Sequence, residues 1–141
     1  MNICIIPARS GSKRIPRKNI KLFCGQPIIS YSIKSALESK IFDHVIVSTD
    51  DSEIAKIAMN YGASVPFFRP KNLSDDHSTS IDVINHAFFW VEENIGKVDL
   101  VCALYATAPF TTSKDLTNAY EKILQHKDCQ VVYPIVEFNF P

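Results

Sequence analysis

The strongest constraint on the fold is an alternation of short runs that are apolar at nearly every position with longer amphipathic segments. The apolar runs are predicted to be strands, and they lie at 3–6, 44–48, 65–68, 99–105 and 130–135. Strands without regular polar positions are buried on both faces, which favours a parallel sheet covered by helices on either side. The sequence therefore predicts an α/β fold with the most hydrophobic run, 99–105, at the centre of its sheet.

The amphipathic segments are predicted to be four helices. The first begins at Pro27, and the second follows an N-cap at Asp50 and stops at Gly62. The third ends at Gly96, and the fourth is capped by Ser113. Their apolar faces are Ile29, Ile33, Ala36 and Leu37; Ile54, Ile57, Ala58 and Tyr61; Ile81, Ile84, Phe88, Val91 and Ile95; and Leu116, Ala119, Tyr120, Ile123 and Leu124.

Ligands of such sheets bind beyond the carboxyl ends of the strands. Four loops follow those ends, at 8–22, 48–51, 69–80 and 105–112, and they are expected to meet at one rim. The architecture is Rossmann-like, but the dinucleotide fingerprint Gly-x-Gly-x-x-Gly is absent because the only glycines are at 11, 25, 62 and 96. The Walker spacing Gly-x-x-x-x-Gly-Lys is absent as well.

The loop after the first strand is strongly basic. It contains six of the 15 lysines and arginines of a chain with zero formal net charge: Arg9, Lys13, Arg14, Arg17, Lys18 and Lys21. Backbone N–H groups near Gly11 can approach an anion that these cations neutralise, so the loop fits a polyphosphate. A solvated basic loop is the alternative. Nucleic-acid binding fits less well, because the basic residues lie in one loop of a neutral chain without interleaved aromatic residues.

Length and composition fit one ordinary globular domain, residues 1–141, of which 46% are hydrophobic. No apolar run approaches the roughly 20 residues of a membrane span, and no secretion signal opens the chain, so a cytoplasmic location without membrane contact is expected. The cysteines, at 4, 24, 102 and 129, are predicted to be reduced thiols. The four histidines do not have the spacing of a zinc site.

Residues 6–20, Ile-Pro-Ala-Arg-Ser-Gly-Ser-Lys-Arg-Ile-Pro-Arg-Lys-Asn-Ile, closely resemble the opening of the CMP–sialic acid synthetase (acylneuraminate cytidylyltransferase) family. Further similar segments are Val-Ser-Thr-Asp-Asp at 47–51, the Arg-Pro of 69–70 with Ser80, and Ala-Leu-Tyr-Ala-Thr-Ala-Pro-Phe at 103–110. Tyr105 and Ala108 make this last segment more similar to the pseudaminic acid branch of that family. Tyr105 stands where the sialate branch has glutamine.

This resemblance implies a parallel-sheet three-layer sandwich of the nucleotide-diphospho-sugar transferase type. It also implies an enzyme that transfers CMP from CTP to a nine-carbon 2-keto sugar acid and releases pyrophosphate. Pseudaminic acid is the expected acceptor, with sialic, legionaminic and the eight-carbon ulosonic acid as alternatives. Because members of the family are longer, the chain is expected to be a truncated N-terminal part. Mg²⁺ is implied as cofactor with its carboxylate ligands beyond this chain, and a homodimer is possible.

The nucleotide-binding set implied by the resemblance is Ala8, Arg9, Gly11, Ser12, Lys13, Lys18, Asn19, Arg69 and Ser80. Three cations of the basic loop, Arg9, Lys13 and Lys18, are expected to contact the triphosphate. Ser12 and Asn19 are expected to donate hydrogen bonds. Arg9 and Lys18 are the expected catalytic residues, and Lys18 is expected to supply the charge that matters most in the transition state.

Arg69 and Ser80 are expected on the cytidine side of the site, whereas Arg14 and Arg17 are expected to face solvent. Asp50 is either a helix cap or a ligand. The acidic pair 75–76 is expected to be solvated, and the aromatic residues at 88–90 are expected in the core or at a subunit contact. Two further functions stay open, a CTP-binding remnant without turnover and a fragment without function.

Overall fold

The computed structural model describes residues 1–75, 78–126 and 128–137. Asp76 and residues 138–141, which entered the predictions above, lie outside the described residues. The strands are β1 (Asn2–Pro7), β2 (Leu22–Phe23), β3 (Gln26–Pro27), β4 (His44–Ser48) and β5 (Leu100–Ala103). The helices are α1 (Ile29–Ser39), α2 (Ser52–Asn60), α3 (Ser80–Asn94) and α4 (Ser113–Gln125).

The main sheet is parallel and has the strand order β4–β1–β5 among the described residues. Cys4 of β1 is the register partner of Val45 on one side and of Cys102 on the other. β2 and β3 form a small antiparallel pair beside it. The predicted central position of the run at 99–105 is wrong for this sheet, because β1 lies in the middle and Val101 of β5 is 39% exposed.

Helices cover both faces of the sheet, which confirms the three-layer prediction. Cys4 and Ile6 of β1 pack on one side in a core with α1, α2 and Leu116 of α4. Ile3 and Ile5, which alternate with them, pack on the other side against α3. The alternation follows from the two-residue period of a strand, and it accounts for the apolar character of β1 at every position.

Two predicted strands are not formed. The run at 65–68 contributes only single bridges beside β4, Ile46 with Ser64 and Thr49 with Phe68, because Pro66 interrupts it and has no N–H for a ladder. Residues 130–135 are not paired with any described strand. A strand needs a neighbour to satisfy its backbone, and the described residues offer none there.

The helix starts and faces differ in detail from the prediction. Asp51, not Asp50, caps α2, and Thr112, not Ser113, caps α4. α3 packs through Val83, Ala87 and Val91, spaced four residues apart. Four predicted face residues are largely exposed instead: Leu37, Ile81, Ile95 and Leu124. Within the described chain, none of the helices combines the length and apolar content that crossing a bilayer requires.

Candidate functional site

A cleft of about 180 Å³ opens beyond the carboxyl ends of β1 and β5. Three stretches of chain supply its lining: Pro7, Arg9, Lys18 and Asn19; Arg69, Ser78, Thr79, Ser80 and Val83; and Tyr105, Ala106 and Thr107. Three of the four loops predicted to meet at this rim therefore do so. The fourth, 48–51, does not line the cleft but accepts hydrogen bonds from residues of two of the others.

A larger cavity of about 700 Å³ lies at the opposite end of the sheet, beside Met1, Asn2 and Leu100. None of the predicted site residues lines it. The only fixed positive charge among its described lining residues is the Met1 ammonium, which pairs with Asp99 at 2.5 Å. The smaller cleft, where the cations Arg9, Lys18 and Arg69 converge, is therefore the candidate site.

Arg69 is distinctive because its guanidinium is buried, with 6% of the residue exposed. Its Nε donates to Ser48 Oγ at 3.2 Å, its Nη1 donates to the Leu73 carbonyl at 3.4 Å, and its Nη2 donates to the Ser48 carbonyl. Burial lowers the pKa of Arg69, the charge of Asp50 opposes that shift, and the charge of Arg9 adds to it. Because a guanidinium stays protonated, the cleft contains a buried cation whose described hydrogen-bond partners are all neutral oxygens.

Asn19 supports the basic loop from inside. The residue is 7% exposed, and its Nδ2 donates to the Arg9 carbonyl at 2.9 Å. The Arg9 side chain in turn donates through Nη1 to the Asp75 carbonyl at 2.5 Å. One Asn19 amide hydrogen is therefore committed to the loop backbone, and the residue also lines the cleft.

Lys18 is exposed and begins a short 3₁₀ turn, Lys18–Ile20. The preceding residue, Arg17, has φ 55° and ψ 32°, a left-handed conformation that is uncommon for residues other than glycine. Lys18 and Asn19, the first two residues of this turn, both line the cleft. A lysine in that position can place its ammonium beside an anion.

The far wall of the cleft is the start of α3. Thr79 caps this helix in a capping box with Asp82, in which each residue's side chain accepts from the other's backbone N–H. Ser80 is the first residue of the helix, and the Tyr105 hydroxyl donates to its Oγ at 3.4 Å. The positive end of the helix dipole thus lies at the cleft and adds to the favourable potential for an anion.

Four predicted site residues do not line the cleft, namely Ala8, Gly11, Ser12 and Lys13. Ala8 is buried, and its N–H donates to the Ser48 carbonyl at 2.9 Å. Gly11 is exposed, and a Cβ placed on it would meet no atom within 4 Å, so the described conformation does not require glycine there. A role for these four residues in binding nucleotide stays a prediction.

The predictions for two charged residues need correction. Arg17 does not simply face solvent, because its Nη1 lies 2.7 Å from Asp51 Oδ2 and its Nη2 also pairs with Glu53. The hydrogen bond between Arg17 and Asp51 raises the pKa of Arg17 and lowers the pKa of Asp51. Asp50 caps no helix; its two carboxylate oxygens accept from the N–H of Ser10 at 2.9 Å and from its hydroxyl at 2.8 Å.

Sequence reasoning missed several residues of the site. Ser78 and Thr79 line the cleft, and only their place in a predicted rim loop could have indicated them, whereas Thr107 lies in a turn that was expected to face the cleft and does line it. His86 of α3 does not line the cleft, but it has a buried Nδ1 without a hydrogen-bond partner among the described residues. Burial, followed by the charge of Arg69, lowers the pKa of His86. No pattern in the sequence singled it out.

The described residues do not fit a resident divalent metal ion. They include no group of three or more histidine, cysteine, aspartate or glutamate side chains placed for one. The carboxylates of Asp50 and Asp51, which lie beside the basic loop, already accept hydrogen bonds from Ser10 and Arg17. A divalent ion in this cleft would need ligands other than the described side chains.

Comparison with known proteins identifies one family and several relatives. The sequence model described as Cytidylyltransferase matches residues 3–138. The chain is 51% identical over 140 residues to the pseudaminic acid cytidylyltransferase of Campylobacter jejuni subsp. jejuni serotype O:2, covering 99% of this chain and 60% of that protein. It is 39% identical over 119 residues to the CMP-N,N'-diacetyllegionaminic acid synthase of Legionella pneumophila, covering 84% of this chain and 51% of that protein.

A solved structure has the same fold. CMP:2-keto-3-deoxy-manno-octonic acid synthetase, solved in complex with CTP, superposes with a TM-score of 0.75 at 23% identity. The match covers 89% of this chain and 48% of that one. It confirms the predicted α/β architecture. The chain thus spans about half to three-fifths of the length of the relatives it matches.

Proposed function

We propose, because the chain belongs to the cytidylyltransferase family, that it is the nucleotide-binding part of an enzyme that transfers CMP from CTP to a sugar acid. The proposed acceptor is a nine-carbon 2-keto acid. Pseudaminic acid is favoured because the relative that bears its name is 51% identical over 99% of this chain. Legionaminic acid is the second candidate, since a relative named for it is 39% identical over 84% of the chain.

The single observation that carries the proposal is the buried guanidinium of Arg69 in the cleft. A buried cation whose described partners are neutral oxygens is costly, and a bound anion would offset that cost. Arg9 and Lys18 bring two further positive charges to the same cleft. Three cations around one small cleft favour a ligand with several negative charges, such as a nucleoside triphosphate.

In the proposed reaction the anomeric hydroxyl of the sugar acid attacks the α-phosphorus of CTP. The new oxygen–phosphorus bond forms as the bond from the α-phosphorus to the bridging oxygen breaks, pyrophosphate leaves, and the hydroxyl proton passes to a base or to water. Arg9 and Lys18 would neutralise charge that builds up on the phosphoryl oxygens and the leaving group. Arg69 and Ser80 would lie towards the cytidine side, with the Arg69 guanidinium facing the phosphate nearest the nucleoside.

Other parts of the proposal go beyond the described residues. The resemblance implies Mg²⁺, but the described carboxylates do not fit a resident ion, so the proposal assigns no residue of this chain to it. A cytoplasmic location, a homodimer and a single domain over residues 1–141 also stay predictions. Turnover by the chain alone is not part of the proposal, whereas nucleotide binding by the chain is.

Thermal unfolding with CTP tests the proposal. A ligand at about 100 times its dissociation constant adds about 2.7 kcal/mol, which raises the midpoint by several degrees. We expect that shift with CTP, a smaller one with ATP, and little or none in Lys18→Ala. Arg14→Ala is the matched control, because it removes the same charge from an exposed position of the same loop and should keep the shift. Equal shifts in both variants, or none in the unmodified chain, would contradict the assignment.

A further inference from the structure

We infer that Arg17 is a positioning residue of the cleft. Through Asp51 and Glu53 it fixes the turn that carries Lys18 and Asn19, and it does not itself bind phosphate. This inference rests on the proposed function, because it gives the turn the task of holding the nucleotide.

By charge and position alone, Arg17 is as good a phosphate ligand as its neighbour Lys18. Its guanidinium is directed elsewhere: Nη1 lies 2.7 Å from Asp51 Oδ2, and Nη2 lies 3.2 Å from Asp51 Oδ1 and also donates to Glu53. Arg17 does not line the cleft. A fork that is bidentate to one carboxylate and shared with a second cannot offer the same N–H groups to a phosphate.

The backbone at Arg17 is strained, with φ 55° and ψ 32°. Such conformations in residues other than glycine cost free energy and persist where the surrounding contacts hold them in place. Here those contacts are the two ion pairs, together with the hydrogen bond from the Ile20 N–H to the Arg17 carbonyl at 3.0 Å. Because Lys18 follows directly, the direction in which it leaves the loop depends on this conformation.

Asp51 is a fixed anchor for the turn. It follows the end of β4 and caps α2, and its Oδ1 accepts from the N–H groups of Glu53 and Ile54, both at 2.9 Å. The neighbouring Asp50 accepts two hydrogen bonds from Ser10. The adjacent carboxylates of Asp50 and Asp51, which follow β4, therefore hold the basic loop through hydrogen bonds from Ser10 and Arg17.

Substitution of Asp51 separates the two possible roles of Arg17. Asp51→Asn keeps a good N-cap for α2 and removes the carboxylate that pairs with both Nη atoms of the guanidinium, while the contact with Glu53 stays. If Arg17 were a phosphate ligand, this change would release it, and CTP binding would stay the same or tighten. If Arg17 positions the turn, Asp51→Asn and Arg17→Ala each weaken CTP binding about tenfold, and the double variant is no weaker than either single one.

Matched variants of the same loop complete the experiment, with the dissociation constant for CTP measured by titration calorimetry. Arg14→Ala removes an exposed charge and should change CTP affinity by less than about twofold. Arg17→Lys should restore part of the affinity that the neutral Arg17→Gln loses. Unchanged or tighter binding by Asp51→Asn would overturn the inference, as would equal effects of Arg17→Ala and Arg14→Ala.

Amide hydrogen exchange without nucleotide tests the inference independently of the proposed function. We expect residues 18–21 to exchange faster in Asp51→Asn than in the unmodified chain, while the core amides of β1 stay protected. If the unmodified chain failed to bind CTP, the proposed function would fail, and this exchange comparison alone would decide the role of Arg17. Equal exchange at 18–21 in the two proteins would then refute it.

Discussion

At the scale of single residues, the site depends on a cation that the fold has already desolvated. Arg69 is held by Ser48 and Leu73, so its fork is oriented before any ligand arrives. Such preorganisation removes part of the entropy cost of binding. It also means that the charge contributes little to folding, because its desolvation offsets the three hydrogen bonds it makes.

Arg69→Met is expected to lower the free energy of unfolding by about 1 to 3 kcal/mol, because it leaves a buried acceptor unpaired, and to remove most of the stabilisation by CTP. The Ser48 carbonyl would keep the hydrogen bond from the Ala8 N–H at 2.9 Å, whereas the buried Ser48 Oγ would lose its described partner. Urea unfolding with and without CTP measures both quantities. Arg69→Lys, which keeps the charge but not the fork, should be intermediate. Full CTP stabilisation in Arg69→Met would contradict the assignment.

Residue types predicted the chemistry of the cleft better than they predicted individual contacts. The local excess of cations identified the basic loop, and Arg9, Lys18 and Asn19 do line the cleft with Arg69. The different task of Arg17 could not be predicted, because it depends on which carboxylates the fold brings within reach. A sequence gives the charge of a side chain but not the atoms that its charge will face.

At the scale of elements, the junction between β4 and α2 connects the sheet to the basic loop. Patterns of apolar residues gave β1, β4, β5 and all four helices, because burial imposes periods of two and about four residues. The apolar pattern failed where hydrophobicity is not the deciding factor. The missing N–H of Pro66 prevented a strand at 65–68. Asp50 and Asp51 are equally suitable N-caps by residue type, and the structure has Asp51 in that position.

The junction is expected to make stability depend on pH through Asp51. The hydrogen bond from Arg17 lowers the pKa of Asp51 below its unfolded value of about 3.9. The carboxylate therefore stabilises the fold fully above that value, and the contribution is lost as the pH falls through the lower folded pKa. The difference in unfolding free energy between the unmodified chain and Asp51→Asn should shrink as the pH falls from about 6 to about 2. A constant difference across urea titrations in that range would refute this.

At the scale of the whole molecule, charge is balanced in total but not in space. The chain has 15 basic and 15 acidic residues, and six of the basic ones lie between positions 9 and 21. A chain without net charge lacks the long-range field of a strongly basic protein, whereas a local cluster of cations attracts a small polyanion at short range. The prediction of fold class succeeded at this scale because it needed only the order of strands and helices, which the apolar pattern records.

This distribution predicts that salt acts on binding and not on folding. Raising NaCl from about 0.05 to about 0.5 M shortens the screening length to a few ångströms and should weaken CTP binding roughly tenfold. The urea midpoint should change little, because the described ion pairs are few and partly exposed and the core is apolar. Cytidine is the control ligand for CTP, because it lacks the phosphates. Any affinity of the chain for cytidine should therefore not depend on salt. A CTP affinity that is independent of salt would mean that the cations at 9–21 do not face the triphosphate, and the proposed orientation of the nucleotide in the cleft would be wrong.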